Sequence, residues 1–110
     1  MDPKTALTEV KPIEFRVWRG QEWATNQTVA EYFEVSRQHL KDVIKANRSA
    51  LTEHGLRVFG GKRDLKEALG LDPSVSRTTL WKPETVLFGA SLVNSAVAEE
   101  LSKIYVSDSA

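Results

Sequence analysis

The chain has 110 residues, 41% of them hydrophobic, with 15 basic and 15 acidic side chains and no cysteine. That length supports one domain with a small core. Disulfides and thiolate metal sites are excluded, and no apolar run approaches the roughly 20 residues that span a bilayer.

The opening Met1-Asp-Pro-Lys-Thr has no signal-peptide core, so a cytoplasmic location is expected. Residues 1–11 and 107–110 read as flexible ends around a single domain over residues 12–106. Ile13, Phe15 and Val17 alternate with Glu14, Arg16 and Trp18, the period of a half-buried strand. Arg19-Gly20 marks a turn and Gln21-Glu-Trp-Ala24 returns as a second strand, giving an N-terminal β-hairpin.

Asn26-Gln-Thr-Val-Ala-Glu-Tyr-Phe-Glu-Val-Ser-Arg-Gln-His-Leu-Lys-Asp-Val-Ile-Lys45 reads as two short helices joined by a tight turn, a helix-turn-helix. Val29, Ala30 and Phe33 form the apolar face of the first helix, and Leu40, Val43 and Ile44 that of the second. Ala30 is small where the helices cross, and Val35 plugs the turn. Thr25 is the expected first N-cap, with Thr28 and Glu31 as an alternative capping box; Ser36 caps the second helix. Glu34 stands where glycine is commonest, so it must tolerate the turn conformation or the turn must be longer.

Residues 56–59 look like another strand, closed by Gly60-Gly61. Asp64-Leu-Lys-Glu67 has capping-box spacing and opens a short helix that Gly70 can end. Asp72-Pro73-Ser74 is a turn, and Ser76-Arg-Thr-Thr-Leu-Trp81 has strand propensity. Lys62 and Arg63 would then lie at a strand end, where the wing of a winged helix reaches phosphate. Pro83 suits the first turn of a helix with Val86, Leu87, Ala90 and Val93 on its apolar side. Asn94 or Ser95 can cap a last helix carrying Val97, Leu101, Ile104 and Tyr105 on one stripe. Such stripes mean core or dimer interface, and a homodimer through the last helix is expected. The fold class is α+β, mostly helical.

The outward face of the second helix carries the functional expectation. About 100° per residue points Gln38, Lys41, Asp42 and Lys45 away from the core residues. Arg37 stands at the helix start and Arg48 beyond its end. Arg and Gln can pair with guanine and adenine edges, whereas Lys mainly neutralises phosphate. Charge is distributed to match. Residues 36–63 hold seven basic groups against Asp42 and Glu53, whereas residues 1–35 hold four basic and six acidic, and 64–110 four and seven. Double-stranded DNA is the expected partner, contacted by Ser36, Arg37, Gln38, Lys41, Lys45, Arg48, Lys62 and Arg63.

Two passages resemble the N-terminal DNA-binding domains of phage antirepressors and their KilA-N-like and BRO-like relatives. One is Trp23-Ala-Thr-Asn-Gln-Thr-Val-Ala-Glu-Tyr-Phe-Glu-Val-Ser36, and the other runs from Leu80-Trp-Lys-Pro-Glu to Ala98-Glu-Glu-Leu101. The resemblance implies sequence-specific DNA binding in transcriptional control, with Arg37, Gln38, Lys41 and Lys45 at recognition positions.

Catalysis finds no support. His39 and His54 lack HxxxH spacing, Ser36 lacks the glycines of a nucleophile elbow, and Gly60-Gly61-Lys62 is followed by no Ser or Thr. No cofactor is expected. A second class of function is a regulatory module that binds a nucleotide or cyclic dinucleotide as effector. Its site would be the hairpin, with Arg16 and Arg19 gripping phosphate and Trp18 and Trp23 stacking on a base. The bland alternative makes the two indoles cross-strand core residues. A third is a protein–protein adaptor with a degenerate helix-turn-helix.

Overall fold

The computed structural model describes residues 2–60, 62–72, 74 and 76–109, with side chains up to Ile104. Among the described residues, seven helices surround one four-stranded antiparallel sheet in the order β1-β2-β4-β3. The α+β expectation is met. No helix among them is long and apolar enough to cross a membrane.

The N-terminal segment is not a loose end. Residues Pro3–Val10 form α1, whose Leu7 is fully buried and whose Ala6 is 2% exposed. Burying one leucine stabilises by about 2 kcal/mol, and Tyr32 adds a hydrogen bond from its hydroxyl to the Leu7 carbonyl at 2.7 Å. Burial pushes the Tyr32 phenol up to about 12, so it stays a donor at neutral pH. At the other end, α7 (Ala96–Ser109) carries helix through residues 107–109, while Ala110 and the side chain of Tyr105 lie outside the described residues.

β1 (Arg16–Trp18) and β2 (Gln21–Thr25) make the expected hairpin, with Arg16 opposite Trp23 and Trp18 opposite Gln21. Arg19 and Gly20 have φ of 51° and 73°, the two positive values that a primed hairpin turn requires. The alternation of Ile13, Phe15 and Val17 suggests that Val17 faces inward, but the strand runs the other way. Trp18 is 6% exposed and Val17 64%. The large indole finds Leu65, Leu69, Trp23 and Leu80 on its side of the sheet, and burial of that larger area decides the facing.

After the hairpin come α2 (Asn26–Phe33), α3 (Arg37–Ala46) and α4 (Arg48–Glu53), then β3 (Arg57–Gly60), α5 (Arg63–Leu69) and β4 (Arg77–Trp81). Gly70 ends α5 in the left-handed conformation. The N-cap of α5 is Lys62, not Asp64. Asp64 instead stands in the first turn and accepts the Trp18 indole N–H at 3.0 Å. Its carboxyl is held below the ordinary value by that bond, with Arg19 adding a weaker attraction.

β4 pairs with β2 through Ala24 opposite Trp81, and with β3 through Arg57 opposite Leu80 and Gly60 opposite Arg77. Adjacent strand residues face opposite ways. Trp23 and Leu80 therefore join the small cluster under α5, while Ala24 and Trp81 join the main helical core. α6 (Pro83–Gly89) leads into that core, with Val86, Leu87, Ala90 and Val93 all buried. Ser95 caps α7 by accepting the Ala98 N–H at 3.1 Å. Val97, Leu101 and Ile104 of α7 pack into the same core, so this part of the stripe expected at a dimer interface is occupied within the chain.

Candidate nucleic-acid interface

α3 is fixed by its inner face and by its caps. Leu40 is fully buried, and Val43 and Ile44 are 9% and 5% exposed. The turn before it is a Schellman-type helix end. Glu34 sits at φ 58° and ψ 45°, and the Val35 N–H donates to the Ala30 carbonyl at 3.0 Å. Glu34 therefore accepts the conformation that glycine usually supplies, and the turn is not lengthened. Ser36 Oγ accepts the His39 N–H at 3.0 Å. At the start of α2, Thr25 Oγ1 accepts the Thr28 N–H at 3.3 Å, so Thr25, not Thr28 with Glu31, is the cap.

On the outer face Arg37, Lys41 and Lys45 recur every four residues and fall within about 80° around the helix axis. All three are exposed, as are Ser36, Gln38 and Arg48. The side chains of Arg37, Lys41, Lys45 and Arg48 have no hydrogen bond or ion pair among the described residues. Unpaired exposed cations are available to neutralise phosphate without first breaking a protein contact. Gln38 Nε2 donates to Asp42 Oδ1 at 3.0 Å. The one carboxylate of this face thus orients the glutamine amide instead of standing free. Arg48 opens α4, one residue past Asn47, the cap that ends α3.

A cleft of about 530 Å³ opens where three elements begin. Arg37 and Lys41 enter it from α3, Asn26 and Gln27 from α2, and Arg77, Thr78 and Thr79 from β4. Asp72, from the loop after α5, is its one carboxylate. Lys62 and Arg63 do not line this cleft. Arg63 pairs with Glu67 at 3.3 Å, and Lys62 caps α5. Lys62 and Arg63 do follow the end of β3, as expected, and open α5, which lies in the chain between the neighbouring strands β3 and β4.

The arginine–tryptophan hairpin does not assemble as a stacking site. Trp18 and Trp23 are 6% and 4% exposed, and both indole N–H groups are used, on Asp64 and on the Trp18 carbonyl. The Arg19 guanidinium lies 4.5 Å from the Trp18 ring centroid, and Lys82 stands 5.4 Å from that of Trp23. Arg16 and Trp23 do share a smaller cleft of about 220 Å³, together with Glu14 and Glu31, but Trp18 and Arg19 are not in it. Arg16 is also paired with Glu14 at 3.1 Å. The cross-strand core role is the one the indoles play.

Arg77, Thr78, Thr79 and Asn26 are absent from the sequence-level site. A local motif cannot find Arg77, Thr78 and Thr79, because the β2–β4 pairing brings them to α3 from a remote part of the chain; Asn26 opens the motif itself, but its place in the cleft depends on the same pairing. No family model, curated protein or solved structure matches this chain.

Proposed function

We propose that this protein binds double-stranded DNA by laying α3 in the major groove, and that it serves as a sequence-specific transcriptional regulator in the cytoplasm. The observation that carries this is the stripe of Arg37, Lys41 and Lys45, exposed and without side-chain partners among the described residues, on a helix whose opposite face is buried. The first antirepressor-like passage supports the same reading, since it runs through α2 and the turn that lead into α3. Lysines at the stripe would fix the helix on the backbone, while Arg37 and Gln38 reach base edges. Two such helices on a palindromic site would come from a homodimer, through surfaces other than the buried stripe of α7.

The test is titration of the purified chain into randomised duplex DNA, followed by anisotropy and by sequencing of the retained pool. Lys41→Ala and Lys45→Ala are expected to weaken binding to all sequences by about fivefold each and to flatten its salt dependence. Gln38→Ala is expected to relax preference at one base position. Lysine variants that bind like the parent would remove α3 as the contact, and a parent that binds no DNA at low salt would end the proposal.

A further inference from the structure

The cleft beside α3 has a composition that the helix-turn-helix alone does not explain. Of its charged side chains, Arg37, Lys41 and Arg77 are cations and Asp72 is the single anion. Arg77 is exposed and makes no ion pair or side-chain hydrogen bond among the described residues. Thr78 and Thr79 are half-buried, and their hydroxyls likewise have no partner among the described residues. Asn26 is oriented by the core: the Trp81 indole donates to its Oδ1 at 2.7 Å. That bond occupies the acceptor and leaves the two amide N–H groups as donors. Cations, hydroxyls and an amide donor in one open cleft match the oxygens of a phosphodiester.

We infer that the start of β4 is a second backbone-contact site, in which Arg77, Thr78, Thr79 and Asn26 hold the phosphates of the strand bordering the groove that α3 reads. This rests on the DNA-binding reading and deepens it. Arg37 and Lys41 belong to both the stripe and the cleft, so a duplex seated on α3 carries its backbone along that opening. A contact on a strand, set at an angle to the helix, would fix the register of α3 in the groove. It replaces the wing that Lys62 and Arg63 were expected to supply. Asp72 works against it. Its carboxylate accepts from the Ser74 N–H and Oγ at 2.8 and 2.6 Å, which holds it below its ordinary value and keeps it ionised at neutral pH.

The experiment compares duplex affinity and salt slope for the parent, Arg77→Ala, Asp72→Asn, Lys41→Ala and Lys103→Ala, the last a charge-matched change on α7 outside the cleft. Circular dichroism checks each fold. Arg77→Ala is expected to weaken binding about fivefold on every sequence and to lower the salt slope by about 0.9. Asp72→Asn, which keeps an acceptor for Ser74, is expected to strengthen binding about two- to threefold at low salt; a gain cannot come from misfolding. If Lys41→Ala weakens binding while Arg77→Ala and Asp72→Asn match the parent and Lys103→Ala, the β4 site is overturned and the α3 reading stands. If Lys41→Ala has no effect either, both fall. A free phosphate ligand is separated by thermal shift with inorganic pyrophosphate. Stabilisation of the parent that Arg77→Ala abolishes, with duplex affinity unchanged, would assign the cleft to a small anion and overturn the backbone contact.

Discussion

Glu34 and Gly55 share a positive φ, 58° and 106° respectively, yet substitution should move stability in opposite directions at the two sites. At Glu34 the left-handed backbone costs a β-carbon-bearing residue roughly 1 kcal/mol that glycine does not incur. The side chain returns little, since its only ion pair among the described residues, with Lys11 at 3.4 Å, leaves the Glu34 side chain 65% exposed. Glu34→Gly is therefore expected to stabilise by about 0.5 kcal/mol in urea denaturation; a loss would show that the Lys11 pair outweighs the backbone. At Gly55 the conformation is further from what other residues adopt, and a β-carbon would stand 2.8 Å from Thr85 Oγ1. Thr85 cannot retreat. It is fully buried, donates to the His54 carbonyl at 2.7 Å and accepts the Lys82 N–H at 3.3 Å. Gly55→Ala should cost about 2 kcal/mol or more, and an unchanged denaturation midpoint would contradict that geometry.

Among the elements, α1 is the one whose role the sequence hides. Lys11, just past its end, donates Nζ to the carbonyls of Glu31 at 2.9 Å and Tyr32 at 3.2 Å. The Glu31 carbonyl also accepts the Glu34 N–H at 3.2 Å, so the cation chiefly serves the Tyr32 carbonyl, which the helix end does not bond, and it complements the helix dipole. Lys11→Met keeps the aliphatic stem and removes the head. It should destabilise by about 1 kcal/mol while leaving the hairpin intact, read as a lower melting temperature with unchanged tryptophan emission. Equal melting temperatures would mean that water serves those carbonyls as well. The pattern of what was legible follows from range. Thr25, Ser36, Gly70 and the face of Leu40, Val43 and Ile44 depend on neighbours within a few residues, and a sequence shows those. Pro3–Val10 offers Ala6, Leu7 and Val10 alone, too short a stripe to announce a helix before the core that receives it is known. The facing of Val17 and Trp18 likewise depends on α5, which lies more than 40 residues further along the chain.

At the scale of the whole molecule, zero formal net charge argues against long-range attraction to DNA, so the proposed binding depends on where charge is placed. Most of the site was readable as a stripe at helical spacing, because Arg37, Lys41 and Lys45 lie on one element. Arg77 was not, because only the strand order β1-β2-β4-β3 carries it to the cleft. These four cations set a quantitative expectation. If each neutralises one phosphate, log K should fall against log salt with a slope of about −3.6, or roughly a hundredfold between 50 and 200 mM. Acidic residues elsewhere on the surface leave that slope nearly untouched, since screening reaches only about 10 Å at 0.1 M salt. They lower the absolute affinity instead. A slope near −1 would mean that a single cation touches the backbone and that α3 does not lie along a groove. A slope steeper than about −6 would bring in Arg48, Lys62 and the remaining cations of residues 36–63, and with them a wider footprint than the stripe and the cleft together provide.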